Sequence, residues 1–340
     1  MKNIDWKNLG FDYIPTDINV RAYYKDGAWS ELEFTSDEYI KMHMSTTCLH
    51  YGLECFEGLK AFRGEDGKVR LFRVNENAKR MQASARKLCL PVPSEEMFVE
   101  ACKEIVKRNI DFVPPYESGA SLYLRPLLLG SQIDLGVKAS PDALFLVFCS
   151  PVGPYFKAGF QPIQAIIDRD HDRAAPLGTG HIKAGLNYAM SLYNIVDAHE
   201  QGYDENLYVD SATRTFIEET GGANIIFIKG NTLVTPKSDT ILPSITRRSL
   251  VQVAEELLGM KVEQRQVRFD EIDQFVECGM CGTAAVISPV GKVVDLEGNE
   301  HIFGAGMEHV GTVLAKLRAT LTGIQAGEIE DKFGWVTKIA

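Results

Sequence analysis

The sequence predicts an α/β (α+β) protein built from two mixed domains, on three observations. The chain has 340 residues, room for roughly two domains at about 150 residues each. Strand-like runs and runs of helical spacing alternate along its whole length, as in layered α/β and α+β folds. Near the middle, the Pro/Gly-rich stretch Pro151–Gly159 and the polar run Asp168–Arg173 break that alternation, as an interdomain connection does. The expected division is a smaller N-terminal domain over 1–157, a loop over 158–172 and a larger C-terminal domain over 173–340.

Each element has a local reason. Asn75 is placed to cap a helix with Ala78, Met81, Ala85 and Leu88 on one face, and Pro91 and Pro93 follow it. Ser94 caps the next, where Phe98, Ala101, Cys102, Ile105 and Val106 repeat at three-four spacing; Glu95 and Glu96 suit its first turn. Tyr123–Leu129 and Leu144–Ser150 read as strands. The apolar run Ala143–Cys149 is far shorter than the roughly 20 residues a membrane helix needs, so it is expected to be a buried strand. Ala189, Leu192, Tyr193 and Val196 mark a helix that stops near Gly202. Asn224–Ile228 and Thr232–Val234 form a strand pair around Lys229-Gly230-Asn231. Ser244 caps a helix carrying Leu250, Val253, Leu257 and Leu258 that ends at Gly259. Asp270 is expected to cap another, and a last helix is expected from Glu308 to Leu321.

Composition narrows the function. Thirty-six basic against 46 acidic residues leave a net charge of −10, which argues against a nucleic-acid binder or a basic membrane-surface protein. Seven cysteines, an odd and sparse number, fit free thiols in a reducing compartment. Met1–Gly10 is polar and lacks the apolar core of a secretory signal, so a cytoplasmic location is expected. No Gly-x-Gly-x-x-Gly follows a strand, which excludes a nicotinamide dehydrogenase of that pattern.

Four segments carry candidate chemistry. His181-Ile-Lys183-Ala-Gly185-Leu-Asn187-Tyr188 sets a lysine before a helix, and such a lysine forms a Schiff base when its ammonium is destabilised. Ile217-Glu-Glu219-Thr-Gly221-Gly222-Ala-Asn224 puts a carboxylate on a Gly-rich turn, where it could keep a pyridine nitrogen protonated. Leu242-Pro-Ser244-Ile245-Thr246-Arg247 opens a helix whose first N–H groups suit an anion. Gly279-Met-Cys281-Gly-Thr283-Ala284-Ala285 is small enough for backbone N–H groups to approach one closely. Taken singly, each is more often bland: a solvated lysine, a tight turn, an ordinary helix cap, a close-packed loop.

Together and in this order, the four segments resemble the fold-type IV pyridoxal-phosphate enzymes, and within them the branched-chain amino-acid aminotransferases. Leu49-His-Tyr51-Gly, Phe56-Glu57-Gly58-Leu-Lys-Ala-Phe62, Leu71-Phe-Arg73, Ser121-Leu-Tyr123-Leu-Arg125-Pro126, Gly323-Ile-Gln-Ala-Gly327 and Glu330-Asp-Lys-Phe-Gly-Trp335 extend the likeness over nearly the whole chain. The resemblance implies two mixed domains with pyridoxal 5′-phosphate at their interface. It implies reversible transamination of leucine, isoleucine and valine with 2-oxoglutarate. Lys183 would hold the cofactor as an internal aldimine and then move the proton between the substrate α-carbon and C4′. Tyr188 would bond the phenolic oxygen, and Glu219 the ring nitrogen. Arg80, Ile245, Thr246 and Thr283 would bind the phosphate.

On the substrate side the resemblance implies Phe11, Tyr51, Tyr123, Arg125 and Tyr155 around the side-chain pocket. Arg125, supported by Tyr123, would meet the γ-carboxylate of glutamate. Ala284 and Ala285 would bind the α-carboxylate, with Gly222 nearby in place of a threonine found in some members. Leu135 and Val137 would reach in from the partner of a homodimer. A redox Cys-x-x-Cys of mammalian members falls here on Ala285 and Ser288, so no such switch is expected. Cys278 and Cys281 lack the further ligands of a zinc site, and no metal is expected. His50 and His171 are assigned structural roles. A D-amino-acid aminotransferase and an aminodeoxychorismate lyase of the same fold class are the rival readings. A cofactor-binding regulator without catalysis has no need of Lys183.

Overall fold

The computed structural model describes residues 4–153 and 159–339. The chain divides into two compact units: residues 1–155, 182–185 and 323–340 make the first, and 156–181 and 186–322 the second.

The first unit is a nine-stranded sheet in the order Val336–Ile339, Val69–Phe72, Leu59–Arg63, Ser121–Gly130, Ala143–Val152, Asn19–Lys25, Ala28–Trp29, with two short strands off this path. The strand pairs are antiparallel. The helices Val74–Lys87 and Glu95–Arg108 bury Met81, Ala85, Phe98, Ile105 and Val106 in one core with Leu122, Leu124 and Phe145 of the sheet. Ser94 caps the second helix as expected, its Oγ accepting the Met97 N–H at 3.1 Å.

The second unit is a ten-stranded mixed sheet. Ile163–Asp168 runs parallel to both of its neighbours, Val286–Val294 and Glu205–Val209. Phe216–Thr220 lies on the far side of Glu205–Val209, and the hairpin Asn224–Lys229 with Thr232–Pro236 pairs with Glu277–Gly282. Ser244 caps Ile245–Gln252 through the Arg247 N–H at 3.1 Å.

Several expectations are corrected. The span 158–172 is not a connecting loop, because Gln164 to Asp168 completes a strand in the middle of the second sheet, with Ile167 fully buried. A parallel strand covered on both faces is apolar throughout, which the flanking polar run Asp168–Arg173 obscures. Arg173 itself is buried. The C-terminal residues from Gly323 lie with the first unit, since Val336–Ile339 pairs with Val69–Phe72. The first helix begins at Val74 after Arg73, and Asn75 instead bonds Glu95 at 2.9 Å. Asp270 sits inside the short turn Phe269–Gln274, where Glu271 accepts the Arg268 N–H at 2.8 Å. The last helix is Thr312–Ala326: Glu277, from a distant strand, accepts the Val313 and Leu314 N–H groups and sets its start. The single helix expected over Ala189–Val196 is two, separated at Ser191. The helices Gly185–Met190 and Leu192–Glu200 form there, but Leu192, Tyr193 and Val196 are exposed, while Asn194 turns inward to bond Tyr208 at 2.9 Å.

Candidate active site

Lys183 belongs to the four-residue segment that packs with the first unit. Its N–H donates to Ser84 Oγ and its carbonyl accepts the Phe56 N–H, both at 3.0 Å, and the next residue, Ala184, bridges to Cys55. A strand and a helix that lie about a hundred residues earlier in the chain therefore fix the lysine's backbone. Its Nζ lies 4.6 Å from the centre of the Phe56 ring, and the Arg125 guanidinium lies 4.7 Å from the same ring.

Arg80 forms a buried two-point pair with Glu57, Nε to Oε1 at 2.7 Å and Nη2 to Oε2 at 2.8 Å; Asn77 adds a third bond to Glu57 at 2.7 Å. Such a bidentate pair orients the guanidinium plane rigidly. Arg125 donates to the Tyr123 hydroxyl at 3.0 Å, and its buried Nε has no partner among the described residues. Phe11 packs edge-on against Tyr123 at 5.3 Å. Gly58 lies beneath the phenol: a Cβ there would come within 2.1 Å of Tyr123 Oη. Tyr51 donates to the Leu135 carbonyl, while the Leu135 and Val137 side chains are 78% and 85% exposed. Tyr155 lies outside the described residues.

In the second unit Glu219 is fully buried at the end of Phe216–Thr220. Its Oε1 accepts from Arg173 Nη1 at 2.9 Å and from the Leu242 N–H at 2.8 Å, and its Oε2 accepts from Asn224 Nδ2. Burial pushes the carboxyl above its ordinary value, while Arg173, the Leu242 N–H, Arg247 and Asn224 pull the other way. A carboxylate offers about four acceptor directions, so Oε2 keeps one that a protonated ring nitrogen could take. Ile245 and Thr246 are buried in the first turn of their helix, where N–H groups have no partner within the helix; Ser244 satisfies that of Arg247. Thr283, Ala284 and Ala285 form the turn between Glu277–Gly282 and Val286–Val294. Val286, which closes that turn, holds φ at 64°, a left-handed conformation rare for a β-branched residue. Gly221 and Gly222 make the turn after Glu219, closed by the Thr220 N–H on the Ala223 carbonyl at 2.9 Å. Tyr188 is half-buried on the helix Gly185–Met190. Each unit by itself thus carries groups that suit part of a phosphorylated pyridine: the first a rigid guanidinium and a lysine, the second an anion-binding helix end and a buried carboxylate with acceptor capacity left.

Lys183, Arg80, Tyr123 and Arg125 lie in the first unit, and Tyr188, Glu219, Ile245, Thr246, Thr283, Ala284 and Ala285 in the second. Sequence reasoning assigned no role to Glu57, quoted only as part of a motif, or to Ser84, and it left Arg173 in the polar run of an expected interdomain connection. No local signal marks these residues, because their partners are remote in the chain. Cys278 and Cys281 are both buried and stand three apart on one strand, on opposite faces of the sheet. Among the described residues no helix is long and apolar enough to cross a membrane.

A model of the amino-transferase class IV family matches residues 54–293. The branched-chain-amino-acid aminotransferase of Haemophilus influenzae is 51% identical over 345 residues, covering 100% of both chains. The branched-chain amino acid aminotransferase structure from Escherichia coli superposes with a TM-score of 0.80 at 29% identity, over 96% of this chain and 100% of that one. A second branched-chain amino acid aminotransferase structure, from T.th. and with pyridoxamine 5′-phosphate, gives a TM-score of 0.80 at 27% identity, over 96% and 100%. The chain belongs to the amino-transferase class IV family.

Proposed function

We propose that this protein is a transaminase that exchanges the amino group of leucine, isoleucine or valine with 2-oxoglutarate, using pyridoxal 5′-phosphate. The observation that carries the reading is the full-length 51% identity to a relative of that name. When bound, pyridoxal phosphate would supply the electron sink that lets an amino acid's α-proton leave. The rest is the work of this chain's residues. Lys183 Nζ, on a backbone pinned by Ser84 and Phe56, takes that proton and returns it. Glu219 accepts a hydrogen bond from the protonated ring nitrogen, and Arg173 keeps the carboxylate charged. Arg80, Thr283 and the N–H groups of Ile245 and Thr246 bind the phosphate, and Tyr188 bonds the phenolic oxygen. Phe11, Tyr51 and Tyr123 surround the substrate side chain, with Tyr155 assigned there from the sequence resemblance alone, while Arg125, with its unpartnered Nε, receives the γ-carboxylate of the acidic partner. Gly222, Ala284 and Ala285 approach the α-carboxylate.

The assembly is read as a homodimer in which Leu135 and Val137 reach the partner copy, a reading supported by their exposure. The location is read as cytoplasmic, supported by seven cysteines that are all unpaired. The test is the visible absorbance band of the lysine-bound cofactor. L-Leucine should bleach it and 2-oxoglutarate restore it, and Lys183→Ala should abolish both the band and turnover. A band that answers only to D-amino acids, or release of pyruvate from aminodeoxychorismate, would overturn the substrate assignment.

A further inference from the structure

Glu54 is not among the residues assigned to the reaction, yet it meets the Lys183 segment directly. It opens the strand Glu54–Phe56, whose alternation buries Cys55 and sends Glu54 and Phe56 to the same face. Phe56 carries the Lys183 ammonium on its ring. Glu54 accepts the main-chain N–H of Gly185, the first residue of the helix that follows the lysine. A carboxylate at a helix start satisfies an N–H with no partner inside the helix and meets the positive end of its dipole. The fit leaves no spare room: a Cβ on Gly185 would lie 1.7 Å from Glu54 Oε1. That oxygen is the far end of a side chain that can swing away, so a larger residue at 185 would evict the carboxylate and break the bond.

The backbone about the lysine is thus held at three points: Ser84 on the Lys183 N–H, Phe56 on the Lys183 carbonyl, and Glu54 on the Gly185 N–H. The first two bonds grip the peptide groups on either side of the lysine Cα. The third is the only one of these made by a charged group, and it locks the helix start two residues on. We infer that Glu54 is a positioning residue for Lys183, acting through the Gly185 N–H, and that position 185 must be glycine to admit its carboxylate. This inference rests on the role of Lys183 in the proposed reading.

The test uses Glu54→Ala, Glu54→Gln, Gly185→Ala and the double variant Glu54→Ala/Gly185→Ala. Loss of a hydrogen bond to a charged acceptor predicts that Glu54→Ala lowers kcat by about tenfold or more, with KM for leucine within about twofold. The pH midpoint of the lysine-bound cofactor band should shift in the same variant. Glu54→Gln keeps an acceptor oxygen and should recover most of the loss. Gly185→Ala should match Glu54→Ala, and the double variant should be no worse than either single one, because both remove the same bond. Hydrogen exchange at the Gly185 amide, measured on protein stripped of cofactor, should quicken in Glu54→Ala and Gly185→Ala and stay slow in Glu54→Gln. A band midpoint and an exchange rate unchanged in Glu54→Ala would overturn the inference. So would additive losses in the double variant, or a Glu54→Gln as impaired as Glu54→Ala. If the parent shows no cofactor band, the proposed reading fails instead, and the exchange measurement still decides the contact.

Discussion

Replacing Arg173 by methionine tests the electrostatic centre of the second unit. Arg173 and Glu219 are 3% and 2% exposed and meet at 2.9 Å. Methionine keeps an apolar stem and removes the charge, leaving a buried carboxylate with two neutral donors and the more distant Arg247. Breaking a buried pair from one side costs about 3–5 kcal/mol. The loss has a definite pH dependence. Burial already holds the Glu219 carboxyl above its ordinary value, so the folded chain holds that proton more tightly than the unfolded one. For a raised carboxyl, stability is fully present below the unfolded value and is lost as pH rises through the folded value. Without Arg173 the folded value rises further. Arg173→Met is therefore expected to be most destabilised near pH 8, and the gap to the parent should narrow toward pH 5 as Glu219 takes a proton. Urea unfolding of cofactor-free protein at a series of pH values measures this, with m checked for constancy. A gap below about 1 kcal/mol, or one that is flat across the range, would refute the claim that Arg173 holds Glu219 charged.

Two further outcomes follow from the geometry. Gly58→Ala sets a Cβ against Tyr123 Oη and should break the bond from Arg125. KM for 2-oxoglutarate should then rise by about tenfold while KM for the leucine keto acid barely moves; an equal change in both would remove Tyr123 from acidic-substrate recognition. Glu205 is buried and accepts the Asn206 N–H, and burial pushes its carboxyl up to about 7 from 4.5. Glu205→Gln should be more stable than the parent by about 3 kcal/mol at pH 9, with the gap gone by pH 4.5. Denaturant titrations at the two pH values check this, and a gap independent of pH counts against it.

Elements whose signals are local were legible in advance. Ser94 and Ser244 cap the helices expected of them, because a cap needs only a hydroxyl three residues before an N–H. The strands around Tyr123–Leu129 and Leu144–Ser150 extend one or two residues beyond the expected bounds at each end, as runs of apolar residues between turns allow. The helix near Leu192 was legible as a helix, but not its break from Gly185–Met190 or the exposure of its apolar stripe. Periodicity reports that a face is apolar and is silent about what covers it.

The sequence alone determined the mixed helix-and-strand architecture, the helix caps, and the reactive residues gathered in four short segments. Each of these depends on residues within a few positions of one another, where covalent geometry limits the arrangements. Only the tertiary structure decided which distant groups complete them. Arg173 belongs to Glu219 across 46 positions, Ser84 to Lys183 across 99, and Glu277 to the start of a helix 36 residues later. It also decided that Ile163–Asp168 is a central strand and that the C-terminal strand returns to the first sheet. A charge or a sheet edge is satisfied by whatever folding brings beside it, and that neighbour leaves no trace in the residues next to it in the chain.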